Sequence, residues 1–227
     1  MTGKRLRLFG TLLALALLTA SCAFCSDCDS KAALSQALKK VAASPGNGVA
    51  HGELARAYNL NGEPGKAASE AKEALALIPG YPPAALELAH ARRAEGRHEE
   101  AAELYKTYLS SNPRSPVGLA GISESLARLG FWDEAFASAM AAIKEDPRSP
   151  DGYAALGRAY RIAGRFEEAS EILGQGLAFN PGRADILFDM GMCFVEMGDR
   201  PNALALYEKL LEIDKDRAAL LFQQIYP

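Results

Sequence analysis

Apolar side chains recur three and four positions apart along most of the chain, the spacing that places them on one face of an α-helix. Residues 150–183 show the pattern plainly. Tyr153, Leu156, Gly157 and Tyr160 share one face, and Phe166, Ala169, Leu173 and Leu177 share another. Gly164 falls between the two runs, where a residue in the left-handed conformation can end a helix without a Cβ penalty. Pro181 follows the second run and bars its continuation. The pattern predicts two helices, each roughly a dozen residues long, folded back on each other.

This unit is repeated. Prolines stand at Pro45, Pro79, Pro113, Pro147 and Pro181, each 34 residues after the last. Glycines keep the same interval at Gly62, Gly96, Gly130, Gly164 and Gly198, as do alanines at Ala67, Ala101, Ala135, Ala169 and Ala203. Three residue types in one register frame five units: 48–81, 82–115, 116–149, 150–183 and 184–217. The eighth position of each unit is small (Ala55, Ala89, Ser123, Gly157, Gly191), as is the twentieth, so two helix backbones can approach closely.

Period and residues resemble the tetratricopeptide repeat, whose pattern runs W-x2-L-G-x2-Y, then A-x3-F, then P. Tyr153, Leu156-Gly157, Tyr160, Gly164, Ala169 and Pro181 fall on that pattern in the fourth unit, and Leu187, Met190-Gly191, Phe194, Gly198 and Ala203 in the fifth. The resemblance implies an all-α, right-handed superhelical solenoid of helix-turn-helix units. His51, Arg92, Tyr108 and Lys215 depart from the pattern. Arg92 is expected to lay its stem on apolar neighbours and hold its head in water.

Both ends need separate treatment. Residues 31–47 read as a half-repeat, a lone helix with Ala33 and Ala37 in phase with the second helix of a preceding unit. Residues 218–227 read as a closing helix in which Leu220, Leu221, Phe222 and Ile225 dock on unit five, or leave part of that face open to a partner.

The first 21 residues follow another logic. Lys4, Arg5 and Arg7 precede an apolar run, and residues 8–26 carry no charge over 19 positions. A basic start, an apolar stretch and small residues before a cleavage point describe a secretory signal. Leu18-Thr-Ala-Ser-Cys22 resembles the bacterial lipoprotein signal, in which the cysteine is lipidated and becomes the first residue; Thr19 stands where that signal usually has Leu. The resemblance implies lipid attachment at Cys22, with residues 22–30 as a tether. Ala23 is the residue typical of outer-membrane sorting, so the implied location is the bacterial envelope, outer membrane, facing the periplasm. An uncleaved anchor and plain secretion are the two other readings. Cys25 and Cys28 complete a C-x-x-C-x-x-C run with Cys22, read as a disulfide or two idle thiols rather than an iron–sulfur ligand set.

Composition narrows the function class. The 227 residues are 49% hydrophobic and 23% charged, with a net charge of −3. Cleavage after residue 21 would remove three positive charges and no negative ones, leaving −6. A nucleic-acid partner has no electrostatic support in such a chain. Three histidines (His51, His90, His98) and four cysteines give little material for metal or nucleophile chemistry, and none shows a triad or zinc-site spacing. His98, beside Glu99 and Glu100, reads as solvent-exposed. No phosphate-cradling loop is present, since Gly174-Gln-Gly176 lies within a helix of the repeat. No enzyme, cofactor or metal site is expected.

What remains is binding of a protein. The family resemblance implies that first helices line a concave groove through defined positions of each unit. Carried over, these give Arg56 and Asn59 in unit one, His90 and Arg93 in unit two, and Glu124 and Arg128 in unit three. Units four and five supply Arg158, Arg161, Phe188 and Met192. The arginines read as exposed and suited to an acidic or C-terminal peptide segment. The two-carboxylate clamp of chaperone-binding members is absent, because Gly52, Arg56, Glu87, Val117 and Gly121 occupy its positions. The expected role is a non-enzymatic scaffold that assists assembly of an envelope machine such as a type IV or Tad-type pilus or a secretion system. The alternatives are an adaptor in envelope polysaccharide or peptidoglycan machinery, or a permanent subunit of an outer-membrane complex.

Overall fold

A computed structural model describes residues 30–227. The signal segment 1–21 and the cysteines Cys22, Cys25 and Cys28 lie outside the described residues. Among the described residues there are twelve helices and no strand. The first, α1, covers residues 30–43. Then follow α2 (Gly48–Leu60), α3 (Pro64–Leu77), α4 (Pro82–Ala94), α5 (His98–Ser111), α6 (Pro116–Arg128) and α7 (Trp132–Glu145). The series ends with α8 (Pro150–Ile162), α9 (Phe166–Phe179), α10 (Ala184–Glu196), α11 (Arg200–Ile213) and α12 (Lys215–Ile225). Even-numbered helices up to α10 are the first helices of the units and odd-numbered ones the second. Each helix packs on its sequence neighbours, and successive first helices touch one another. Among the described residues none of these helices is long and apolar enough to cross a membrane.

Local chemistry sets the helix ends. The five turn glycines, Gly62 through Gly198, have φ between +72° and +83°, the region a Cβ disfavours. Second helices α5, α7 and α9 stop two residues before Pro113, Pro147 and Pro181. Asn47, Ser115 and Ser149 cap α2, α6 and α8 by accepting backbone N–H bonds, and Pro116 and Pro150 open their helices with the backbone torsion already set. Lys215 stands where the periodic proline is missing, and the chain resumes a helix at once. Asp214 alone separates α11 from α12 and caps the latter through the Arg217 N–H.

The core is a row of alanines. Ala67, Ala101, Ala135, Ala169 and Ala203 are fully buried, as are Ala55, Ala89 and Ser123 at the eighth position. A Cβ added at Gly157 would stand 2.5 Å from Leu173 Cγ, so only glycine lets α8 and α9 meet there.

The ends differ in detail from the sequence expectation. At the amino end Ala37 is buried against Leu54 and Ala57, whereas Ala33 is exposed. The closing helix starts at Lys215, three residues before the expected boundary at 218. Leu221 and Ile225, with Ala218, dock as fully buried side chains on unit five, against Leu187, Leu206 and Leu210. Leu220 and Phe222 were expected there too: Leu220 points away from that face and is 53% exposed, whereas Phe222 lies at its edge, 43% exposed, with its ring against Tyr207 of unit five. Phe222 sits between Tyr207 and Tyr226, with ring centroids 5.2 and 5.0 Å away.

Candidate functional site

First helices α2, α4, α6, α8 and α10 stand side by side, and the residues facing along them form two contrasting regions. The middle is a ladder of ion pairs. Arg93 Nη1 donates to Glu124 Oε2 at 2.6 Å, and Arg158 Nη1 donates to the same oxygen at 2.9 Å. Arg158 Nε continues to Asp189 Oδ2 at 2.8 Å, and Arg161 Nη2 reaches Asp189 Oδ1 at 3.0 Å. Arg183 ties Asp151 and Asp185 together from the side. Burial alone would push the Glu124 carboxyl up, but Arg158 and Arg93 outweigh it and hold it below the usual range. Tyr105, beneath Arg93 and accepting from its Nε, is fully buried, and burial raises its hydroxyl to about 12.

The ladder corrects the expectation for the central arginines. Arg158 and Arg161 are not free solvent-facing groups: their side chains are 18% and 21% exposed, and both are held by carboxylates of the neighbouring unit. Arg93 is held likewise. Sequence reasoning missed Asp185 and Arg183 as members of this network. A carboxylate ligand entering here would have to displace Glu124 or Asp189 and leave it buried without a partner, which costs more than the new pair returns.

The amino-terminal part of the face is different. A hollow of about 860 Å³ opens between α2, α4 and α6 and is mostly apolar. Leu60, Tyr81, Pro82, Leu86, Tyr108 and Val117 form its walls, with Arg56, Asn59 and His90 among its polar members. Asn59 Nδ2 donates both to the Glu87 backbone oxygen at 2.9 Å and to Glu87 Oε2 at 2.8 Å. His90 Nδ1 lies 3.7 Å from the same carboxylate. Arg56 is exposed and has no ion-pair partner among the described residues. Tyr81 and Tyr108 were not among the expected groove residues. Tyr108 marks the place, since it replaces a residue that the repeat keeps small.

The other expected positions divide. Arg128 is exposed at the end of α6. Phe188 and Met192 are half-buried and pack on the cluster around Leu187 and Leu221, so they belong to the carboxyl-terminal core more than to an open surface. Among the described residues no group of three His, Cys, Asp or Glu side chains is arranged to hold a metal ion. Cys193 is buried in α10, and burial raises its thiol to about 12.

Two departures from the repeat, His51 and Arg92, have structural roles. His51 is buried with Nδ1 2.6 Å from Glu70 Oε2 and Nε2 2.9 Å from the Pro45 carbonyl oxygen. An ionised Glu70 and the Pro45 carbonyl both accept, so the site favours the doubly protonated ring and raises its pKa. Arg92 was expected to hold its head in water; it is buried instead, with Nη1 2.5 Å from Glu95 and Nε 3.4 Å from Glu100. His98 is half-buried rather than exposed, and its Nδ1 meets no partner. Burial, then the charge of Arg128, lowers its pKa.

Comparison with known proteins follows the same lines. Models of the tetratricopeptide repeat match residues 29–82, 59–123, 126–186 and 161–223. No curated protein matches the chain in sequence. Among solved structures, TTC0263, a thermophilic TPR protein of Thermus thermophilus, superposes with a TM-score of 0.73 at 24% identity, covering 79% of this chain and 100% of its own. Pseudomonas aeruginosa pilF gives 0.58 at 19% identity, covering 78% and 90%. YrrB, a TPR protein with an unusual peptide-binding site, gives 0.50 at 16% identity, covering 82% and 97%.

Proposed function

The chain belongs to the tetratricopeptide repeat family, whose members are in general protein–protein interaction scaffolds, and from that premise we propose that it is a lipid-tethered envelope scaffold. It holds a segment of a partner protein along its concave face while an envelope machine, such as a type IV or Tad-type pilus or a secretion system, is assembled. The observation that carries the reading is the open face of stacked first helices, with a hollow of about 860 Å³ at its amino-terminal end. That volume is within the usual size range of binding pockets. The tether rests on the sequence alone: a basic start, an uncharged stretch and Cys22 after small residues. The acidic body that remains after cleavage has no basic patch to attract it to anionic lipid, so the lipid must hold it. The solved relatives support the fold, and the YrrB likeness agrees with peptide capture on such a fold.

Affinity capture of the full-length protein from detergent-solubilised membranes tests the role. Co-purification of pilus or secretion components is the expected result. Recovery of polysaccharide or peptidoglycan enzymes instead, or of no partner at all, overturns it.

A further inference from the structure

The division of the concave face into a closed ladder and an open hollow narrows what the groove can hold. This inference rests on the groove reading above and names the chemistry of its occupant. Every carboxylate lining the hollow is already matched. Glu53 accepts from Lys40 at 2.5 Å, Glu87 accepts from Asn59 at 2.8 Å, and Asp151 accepts from Arg183 at 2.8 Å. Arg56 is different: it lines the hollow, is exposed, and makes no ion pair among the described residues. It also borders a second hollow of about 330 Å³ against α1, so its guanidinium stands where two open spaces meet. The walls beside it are apolar and partly open to solvent, with Leu60 65% and Val117 45% exposed.

We propose that the amino-terminal hollow takes an internal segment of a partner protein that carries a small cluster of apolar side chains and one Asp or Glu. The apolar cluster fills the space between Leu60, Tyr81, Leu86 and Val117, and the acidic side chain pairs with Arg56. An unpaired arginine fork beside an apolar surface recognises a carboxylate with direction as well as charge. A chain-terminal carboxylate is disfavoured, because it needs several donors at one point. The Asn59 amide, which lines the same hollow, is already engaged twice by Glu87, and Lys40 is held by Glu53. The central arginines take no part, since Arg93, Arg158 and Arg161 are each ion-paired within the ladder and the Arg161 Nε left without a partner is buried.

Panning random dodecapeptides, displayed internally on phage, against the immobilised full-length protein in detergent tests this. The expected consensus combines two or more apolar residues with one acidic residue. With Arg56→Glu, once circular dichroism has established that the variant is folded, the acidic position should change to Lys or Arg. A synthetic consensus peptide should bind this variant about tenfold more weakly, and replacing its acid by Lys should restore the affinity. Arg148→Glu, at an exposed arginine that lines neither hollow, should leave consensus and affinity unchanged. A consensus without an acid overturns the proposal. So does an acidic consensus indifferent to Arg56→Glu, or binding seen only when peptides are displayed with a free carboxyl terminus. If no peptide is enriched on the unmodified protein, the groove reading itself fails, which separates that failure from the failure of the Arg56 assignment.

Discussion

Glu124 and Arg158 stand 34 residues apart in the chain and 2.9 Å apart in space, so one period of the repeat separates the two halves of an ion pair. Arg93 shares the same carboxylate oxygen from the other side. Glu124→Gln therefore removes the one negative charge between two arginines. We expect a loss of roughly 2–4 kcal/mol in urea unfolding, from unpaired buried charge and the repulsion that follows. In Arg158→Met, Glu124→Gln should cost less than it does alone, because Arg93 no longer faces a second cation. Additive losses in that double-mutant cycle would refute the ladder as an energetic unit.

Two glycines of unit four should respond to alanine with opposite signs. Gly174 lies in α9, and an added Cβ would meet nothing closer than Met190 Cε at 4.0 Å. Gly174→Ala should stabilise the protein by about 0.5–1 kcal/mol through helix propensity. Gly157→Ala gains the same propensity but drives its Cβ to 2.5 Å from Leu173 Cγ. It should lower the melting temperature through an overpacking cost of roughly 1–3 kcal/mol. Adding Leu173→Ala should recover part of that loss.

His51 gives the fold a pH dependence of known sign. Burial lowers its pKa, but the bonds to Glu70 and to the Pro45 carbonyl, with the nearby charges of Glu70 and Glu73, raise it further than burial depresses it. The folded protein thus holds this proton more tightly than the unfolded chain. The stabilisation is full below the ordinary value of 6.5 and is lost as pH rises through the raised folded value. Urea midpoints measured from pH 6 upward should fall more steeply for the natural protein than for His51→Gln. Parallel curves would show that the ring carries no proton in the fold.

Cys22→Ser should release the chain into the soluble periplasmic fraction, since the acidic body has no other hold on a membrane. Fractionation with immunoblotting reads this directly. A variant retained on the membrane with its precursor uncut would show an uncleaved anchor in place of the lipid.

The helix pairs and their turns are legible in the sequence because they depend on short-range sterics. A positive φ demands glycine, a close backbone crossing demands alanine or glycine, and proline ends a helix, so each leaves a residue type at a fixed interval. The same interval places Arg93, Glu124, Arg158 and Asp189 on successive first helices. The pairing across those helices is not read so directly. A sequence places Arg158 on a helix face but does not say whether a neighbour's acid reaches it, and that depends on how far one unit turns against the next. A signal was nevertheless present: Arg93, Glu124, Arg158 and Asp189 alternate in sign at steps of 31, 34 and 31 residues on successive first helices. Leu220 and Phe222 illustrate the converse limit. Four apolar residues in six cannot all lie on one side of a helix, and only Leu221 and Ile225 share the buried side.

The alternating charges also make the units non-interchangeable. On backbone geometry alone, excising 116–149 would let unit two stack on unit four without strain, because the turns and alanines recur in phase. Such a shortened array would set Arg93 directly against Arg158, two cations with no acid between them. Order along the array is thereby written in electrostatics, where shape would have permitted shuffling.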